Sequence, residues 1–251
     1  SLLLSDNEET KNQILTTPDG YGDLPIHLAL TKKTSPEIIS LLLSDNEETK
    51  NQILTTPDAN GVLPIHRALF RNASLEVIRL LIPENEVTKN TILTTPDADG
   101  LLPVHNALGW NHGQEVIKLL LPENEVTKNE ILTTPNKNGD LPIHQALIRN
   151  ASLVEVIKLL LPENEVTKNE ILTTPNEYGD LPIHQALRSK HSHEVISLLL
   201  SDNEETKNKI LTTLDKFAGL PVHNALLYKA SPEVINLLLS DDGDTKNQIL
   251  T

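Results

Sequence analysis

One seven-residue motif, Leu-Pro-[Ile/Val]-His-x-Ala-Leu, occurs six times in 251 residues, starting at Leu24, Leu63, Leu102, Leu141, Leu181 and Leu220. The intervals are 39, 39, 39, 40 and 39 residues. A fixed period of this length constrains the fold more than any composition figure. Each repeat is one supersecondary unit that cannot bury its apolar face alone, so stability comes from stacking on neighbours. The longer interval places its extra residue between Leu147 and Glu155, and length changes of this kind fall in surface loops. Repeats follow at 1–18 (partial), 19–57, 58–96, 97–135, 136–175, 176–214 and 215–251, read as a single continuous array over 1–251. The two ends share a phase, SLLLSDNEETKNQILT at 1–16 against NLLLSDDGDTKNQILT at 236–251. Neither reads as the polar cap of a free-standing solenoid. With no Met and no signal-peptide layout, the chain reads as a processed product or a window of something longer.

The repeat at 58–96 shows what one unit should be. Asp58-Ala59-Asn60-Gly61 is a turn signal. Pro64 suits the first turn of a helix, and Ile65, Ala68 and Leu69 fall on one face of it. Asn72-Ala73 ends that helix, since Asn tolerates the left-handed conformation. Ser74 caps a second helix, with Glu76 in its first turn and Val77, Ile78, Leu80 and Leu81 as its buried face. The segment from Pro83 to Pro96 then predicts a short third helix or helical turn, with Ile92 and Leu93 closing the core. In two repeats this segment opens with Ser44-Asp45-Asn46-Glu47 or Ser201-Asp202-Asn203-Glu204, which fits a capping box with Ser as the cap.

The run Asp-x-x-Gly-x-Leu-Pro-Ile-His-x-Ala-Leu, followed by Glu-Val-Ile-x-Leu-Leu-Leu, resembles the ankyrin repeat across all six units. The resemblance implies an all-α helical repeat solenoid of helix-turn-helix units joined by connecting turns. Three departures stand out. Leu precedes Pro where the family usually has Thr. The inter-helix loop lacks the usual Gly-His, except partly at His112-Gly113. The unit is longer than the family's usual ~33 residues. The resemblance also implies a role for His27, His66, His105, His144, His184 and His223: each hydrogen-bonds the turn backbone and ties repeats together.

A metal reading of these six histidines fails on spacing. Equivalent atoms in stacked helices lie about 8–10 Å apart, whereas zinc needs its nitrogens at ~2.0–2.1 Å. His191 and His193 form a pair without a third ligand. Asp97-Ala98-Asp99-Gly100 has the start of a calcium loop but not its closing carboxylate, and reads better as an Asx turn. With no Cys in the chain, disulfides and thiolate chemistry are excluded. No phosphate loop, nucleophile elbow or His-Glu-x-x-His motif occurs. Near-identical units offer the same environment six times, whereas catalysis needs a unique constellation, so neither enzyme activity nor a cofactor nor a small-molecule substrate is expected. No apolar run approaches the ~20 residues of a membrane span. A net charge of −14 opposes binding to nucleic acid. Asn72-Ala73-Ser74 and Asn150-Ala151-Ser152 match the glycosylation pattern, although Asn ending one helix and Ser capping the next explains both.

A protein partner remains, and two forms of it. Residues 121–147 and 161–187 differ at only Lys137/Glu177 and Asn138/Tyr178. A periodic surface best matches a periodic partner, which favours copies of the chain itself, head-to-tail or laterally, in an extended structural array or filament. The inter-helix loops are basic and the connectors acidic, on edges expected to be opposite: this reads first as a solvated surface of dispersed charge, and otherwise as two stripes of opposite sign that meet between neighbouring arrays. The alternative is a scaffold for a different protein. It would use the positions that vary in the turn and first helix: Leu28, Arg67, Asn106, Gln145, Gln185 and Asn224, with Phe70, Trp110, Tyr178 and Tyr228. Trp110 is the sole tryptophan and the best single anchor.

Overall fold

The computed structural model describes residues 8–148 and 153–239. Among them every regular element is helical, and the repeats follow one order as far as they are described: a turn, a first helix of seven residues, a second of six to eight and a third of nine. Contacts gather into two compact parts, Ser1–Thr127 and Lys128–Thr251.

In the N-terminal part, α1 (Glu8–Thr16) is a third helix. It is followed by α2 (Pro25–Thr31), α3 (Pro36–Leu41) and α4 (Glu47–Thr55), then α5 (Pro64–Phe70), α6 (Leu75–Leu80) and α7 (Glu86–Thr94), then α8 (Pro103–Gly109) and α9 (Gln114–Leu120). Each helix packs on its counterpart in the next repeat: α2 on α5 and α5 on α8, α3 on α6 and α6 on α9, α1 on α4 and α4 on α7. The boundary between the parts falls inside α10 (Glu125–Thr133). The C-terminal part continues with α11 (Pro142–Ile148), α12 (Leu153–Leu160), α13 (Glu165–Thr173), α14 (Pro182–Arg188), α15 (His193–Leu198), α16 (Glu204–Thr212), α17 (Pro221–Leu227) and α18 (Pro232–Leu238). It packs by the same rule: α11, α14 and α17 in one rank, α12, α15 and α18 in a second, α13 and α16 in a third.

Short helices of this kind are marginal in isolation and need defined ends and neighbours. The ends are supplied locally. Pro64 occupies the first position of α5, where a missing N–H costs nothing. The chain leaves α5 through a left-handed residue, Asn72 at φ 53°. Asn72 N–H donates to the Leu69 carbonyl and Ala73 N–H to the Ala68 carbonyl, a Schellman closure. Lys33, Asn111, Lys190 and Lys229 take the same conformation in their repeats. Lysine there shows that the closure, and not residue preference alone, imposes the left-handed turn. Ser74 Oγ accepts from Val77 N–H at the start of α6. The core of this repeat is Leu63, Ile65, Ala68, Leu69, Val77, Ile78, Leu81, Ile92 and Leu93, all buried. Leu80, expected on the buried face, is only half-buried.

The expected short third helix is present and nine residues long. One detail differs. Its cap is Asn rather than Ser: Asn46 Oδ1 accepts from Thr49 N–H at 2.9 Å, and Asn203 Oδ1 does the same for Thr206. Ser44 and Ser201 instead face inward. Ser44 Oγ donates to Asn12 Oδ1 at 2.6 Å and accepts from Asn46 N–H; Ser201 Oγ treats Asn169 and Asn203 alike. By register, Pro83, Pro122 and Pro162 take the place of this Ser opposite Asn51, Asn90 and Asn129. Those three Asn side-chain carbonyls are buried and without a hydrogen-bond partner.

One turn residue is out of keeping with the rest. Five repeats place Gly at φ +71 to +80°, and the sixth places Ala218 at φ 60°. A Cβ in this region costs roughly 1–2 kcal/mol. Ala218→Gly is therefore expected to raise stability by about 1 kcal/mol, read as a higher urea midpoint at unchanged slope.

Candidate protein-binding face

Every turn is built on one Asx side chain whose Oδ1 accepts the backbone N–H groups two and four residues on. Asp58 holds Asn60 and Val62, Asp97 holds Asp99 and Leu101, and Asn136 holds Asn138 and Asp140. Nine residues beyond the Asx lies the variable first-helix position expected to face a partner, and in three of the six repeats it bonds the turn instead. Arg67 pairs with Asp58, reaches Asp23 at 3.2 Å and donates to the Thr31 hydroxyl at 2.8 Å. Asn106 donates to Asp97 Oδ2 at 3.1 Å and Asn224 to Asp215 Oδ2 at 2.9 Å, both from buried positions. Gln145 is half-buried, as is Gln185, whose amide donates to Ser189 Oγ. Leu28 alone of the set is exposed. The variation at this position follows the turn residue: an Asp is matched by Arg or Asn in three repeats, and an Asn by Gln in two.

In the C-terminal part further polar bonds brace the turns. Asn176 Nδ2 donates to Asp140 Oδ1 at 2.8 Å, and Arg188 donates to both oxygens of Asp180 at 2.7 and 2.9 Å. Burial raises the Asp140 pKa despite the Asn176 bond.

The motif histidines hold the start of their own helix first. Nδ1 of His27, His105, His144, His184 and His223 accepts the N–H of the Leu three residues before it. At His144 this fixes the proton on Nε2, which donates to the Asp180 carbonyl of the next repeat at 3.1 Å. Burial pushes the His144 pKa down to about 4. Two further imidazoles reach backwards: Nε2 of His112 contacts the Leu69 carbonyl at 2.9 Å and Nε2 of His191 the Leu147 carbonyl at 2.8 Å. His191, a free metal-ligand candidate by sequence, is thus engaged with backbone. The partial Gly-His likeness at His112 was the signal for these ties, and its reach was not legible. Among the described residues no three His, Asp or Glu side chains converge as a metal site.

His66 differs from its five equivalents. It is 1% exposed, yet neither ring nitrogen has a hydrogen-bond partner. The Thr95 and Leu101 backbone and the Asp97 carboxylate nearby favour its charged form, but burial outweighs them and lowers its pKa to about 4. The turn tips are open at this point. A methyl group on Gly139 would lie 2.7 Å from Glu177 N, and one on Gly22 2.9 Å from Ala59 Cβ, whereas one on Gly61 would meet nothing within 4 Å. Beside Gly61 lies a groove of about 290 Å³ lined by His66, Phe70, Arg71, Asp97 and Asp99 among others. Phe70 and Trp110 meet edge to face at 4.8 Å and are 49% and 48% exposed. The Arg71 guanidinium sits 5.4 Å from the Phe70 ring centre. In the C-terminal part, Lys216 Nζ lies 4.3 Å from the Tyr178 ring centre and 5.0 Å from that of Phe217. Phe217 is exposed at a turn tip and was not singled out by sequence. Tyr228 is half-buried at the end of α17. Asn72 is exposed, and Asn150 lies outside the described residues.

A family description of ankyrin repeats, three copies to a match, fits residues 26–131, 65–171 and 107–211. The chain belongs to the ankyrin-repeat family. Ankyrin repeats generally mediate protein–protein interaction, and such domains are typically non-catalytic. The ankyrin repeat domain of Bcl-3, described as a unique member of the IkappaB protein family, is similar in fold, with a TM-score of 0.59 at 18% identity over 93% of this chain and 92% of that one. No curated protein sequence matches this ankyrin chain.

Proposed function

We propose that this ankyrin array is a non-catalytic scaffold that binds a different protein through its turn and first-helix face over 58–135, anchored on Phe70 and Trp110. One observation carries the reading: an exposed aromatic pair in ring contact beside an open groove, at positions the repeat motif does not reproduce. A partner made of identical copies needs no such singular feature. Half-exposed aromatic residues next to a cleft are the usual anchors of an interface. Trp110→Ala is expected to weaken capture of the partner by at least ~30-fold, about 2 kcal/mol, while leaving the helical spectrum and sedimentation coefficient unchanged. Unaltered capture would remove the anchor and with it this reading.

Self-association into an extended array over 1–251 is the second reading. It is favoured by the third helices, where Val87, Val126 and Val166 stand at equivalent positions with exposures of 77%, 78% and 78%. Each sits beside an acidic residue, and Lys89 and Lys168 pair with Glu86 and Glu165. Electron microscopy separates the two readings: fibres that dissolve at high salt support assembly through charged edges. The end positions Leu3 and Leu250, expected to be exposed core in such an assembly, lie outside the described residues.

A further inference from the structure

We infer that the groove between the turns of repeats 58–96 and 97–135 receives a basic side chain, arginine or lysine, from the bound protein. The inference rests on the reading of that face as a protein-binding surface and names the chemistry of what enters it.

The floor is His66. A buried imidazole with neither nitrogen hydrogen-bonded carries an unmet cost of about 1–3 kcal/mol per polar group. The ring is 1% exposed with the Thr95 and Leu101 backbone against it, so it shapes the floor and does not itself bond a ligand. The charges around it select the ligand. Arg67 is already neutralised by Asp58 and Asp23. Asp97 is hydrogen-bonded by neutral donors, two backbone N–H groups and the Asn106 amide, so its negative charge stays uncompensated. Asp99 is exposed on the groove wall with its carboxylate open to solvent. Arg71 is the one cation left to oppose them, and it lies over Phe70. An anionic group entering here would meet two carboxylates. A cation would meet those carboxylates together with the Phe70–Trp110 pair, whose faces attract positive charge. The net charge of −14 draws a basic segment toward the chain before contact.

The test uses the full chain and two size-matched probes, acetyl-Gly-Arg-Gly-amide and acetyl-Gly-Glu-Gly-amide. The single tryptophan, Trp110, reports by fluorescence, and the His66 ring resonances report by NMR. The arginine peptide is expected to give a saturable response at both residues. Asp99→Asn should weaken it at least fivefold, while Glu84→Gln in the remote connector should leave it unchanged. A glutamate peptide that binds as well as the arginine peptide overturns the basic assignment and leaves the protein-binding face standing. Full binding by Asp99→Asn overturns it too, and so does silence toward both peptides. In that last case Trp110→Ala capture still reports on the face by itself, so the two failures are distinguishable.

Discussion

Acidification from pH 7 to about 4.5 is expected to destabilise the array by several kcal/mol while most surface carboxylates remain charged. The cause is the buried histidines. His66 and His144 titrate at about 4 in the folded chain, held down chiefly by desolvation, against about 6.5 in an unfolded one. Between those values the unfolded chain binds the proton and the folded chain does not, so stability falls as pH falls through 6.5 and the loss is complete near 4. Each ring contributes on the order of 3 kcal/mol at most, and burial lowers His27 and His184 in the same direction. Asp140, raised by burial, works the opposite way as it is protonated. Protonation also removes the acceptor at Nδ1 that holds the helix start, as at His144 with Leu141 N–H. Urea midpoints measured from pH 7.5 to 4.5 should fall steadily. His144→Gln should cost stability at pH 7.5 and flatten the slope. Midpoints that stay level across this range would show that these rings reach water more readily than their burial implies.

Gly139→Ala and Gly61→Ala are expected to differ, although both residues sit at one turn position with φ near +70 to +75°. Both variants bear the left-handed backbone cost of about 1–2 kcal/mol. At Gly61 the added methyl enters open space. At Gly139 it lands 2.7 Å from Glu177 N, a backbone atom of the next turn that cannot rotate away. To admit it the tips must part, and the Glu177 N–H bond to the Asn138 carbonyl, 3.0 Å long, must lengthen. The loss of that bond and the displaced packing add roughly 1–2 kcal/mol more. Gly139→Ala should therefore cost about twice what Gly61→Ala does, by urea denaturation of each variant. Equal costs would mean that the turn tips separate freely, and that the opening beside Gly61 is not a distinct feature of its repeat.

A sequence reports variation without direction. Arg67, Asn106 and Asn224 vary from repeat to repeat as a recognition surface does. Yet each is a donor to the Asp of its own turn, and satisfies the carboxylate oxygen that the turn backbone leaves free. That pairing was available in the sequence at a separation of nine residues. It could not be told from chance until the turn and helix were seen to fold back on each other. Phe70 and Trp110 occupy non-equivalent positions in neighbouring repeats, so no alignment of the repeats brings them together. Their ring contact arises from the lateral packing of α5 and α8.

The sequence by itself determined the repeat, the helix starts at Pro, the left-handed exit at Asn72, and the apolar faces. These are properties of residues within a few positions of each other, and backbone sterics with helical periodicity fix them. Tertiary structure alone decided which Ser faces a buried Asn, how far His112 and His191 reach, and where two turn tips stand apart. Those outcomes depend on distances between repeats, set by the sum of many side-chain contacts. The same motif therefore yields a satisfied histidine at His144 and an unsatisfied one at His66.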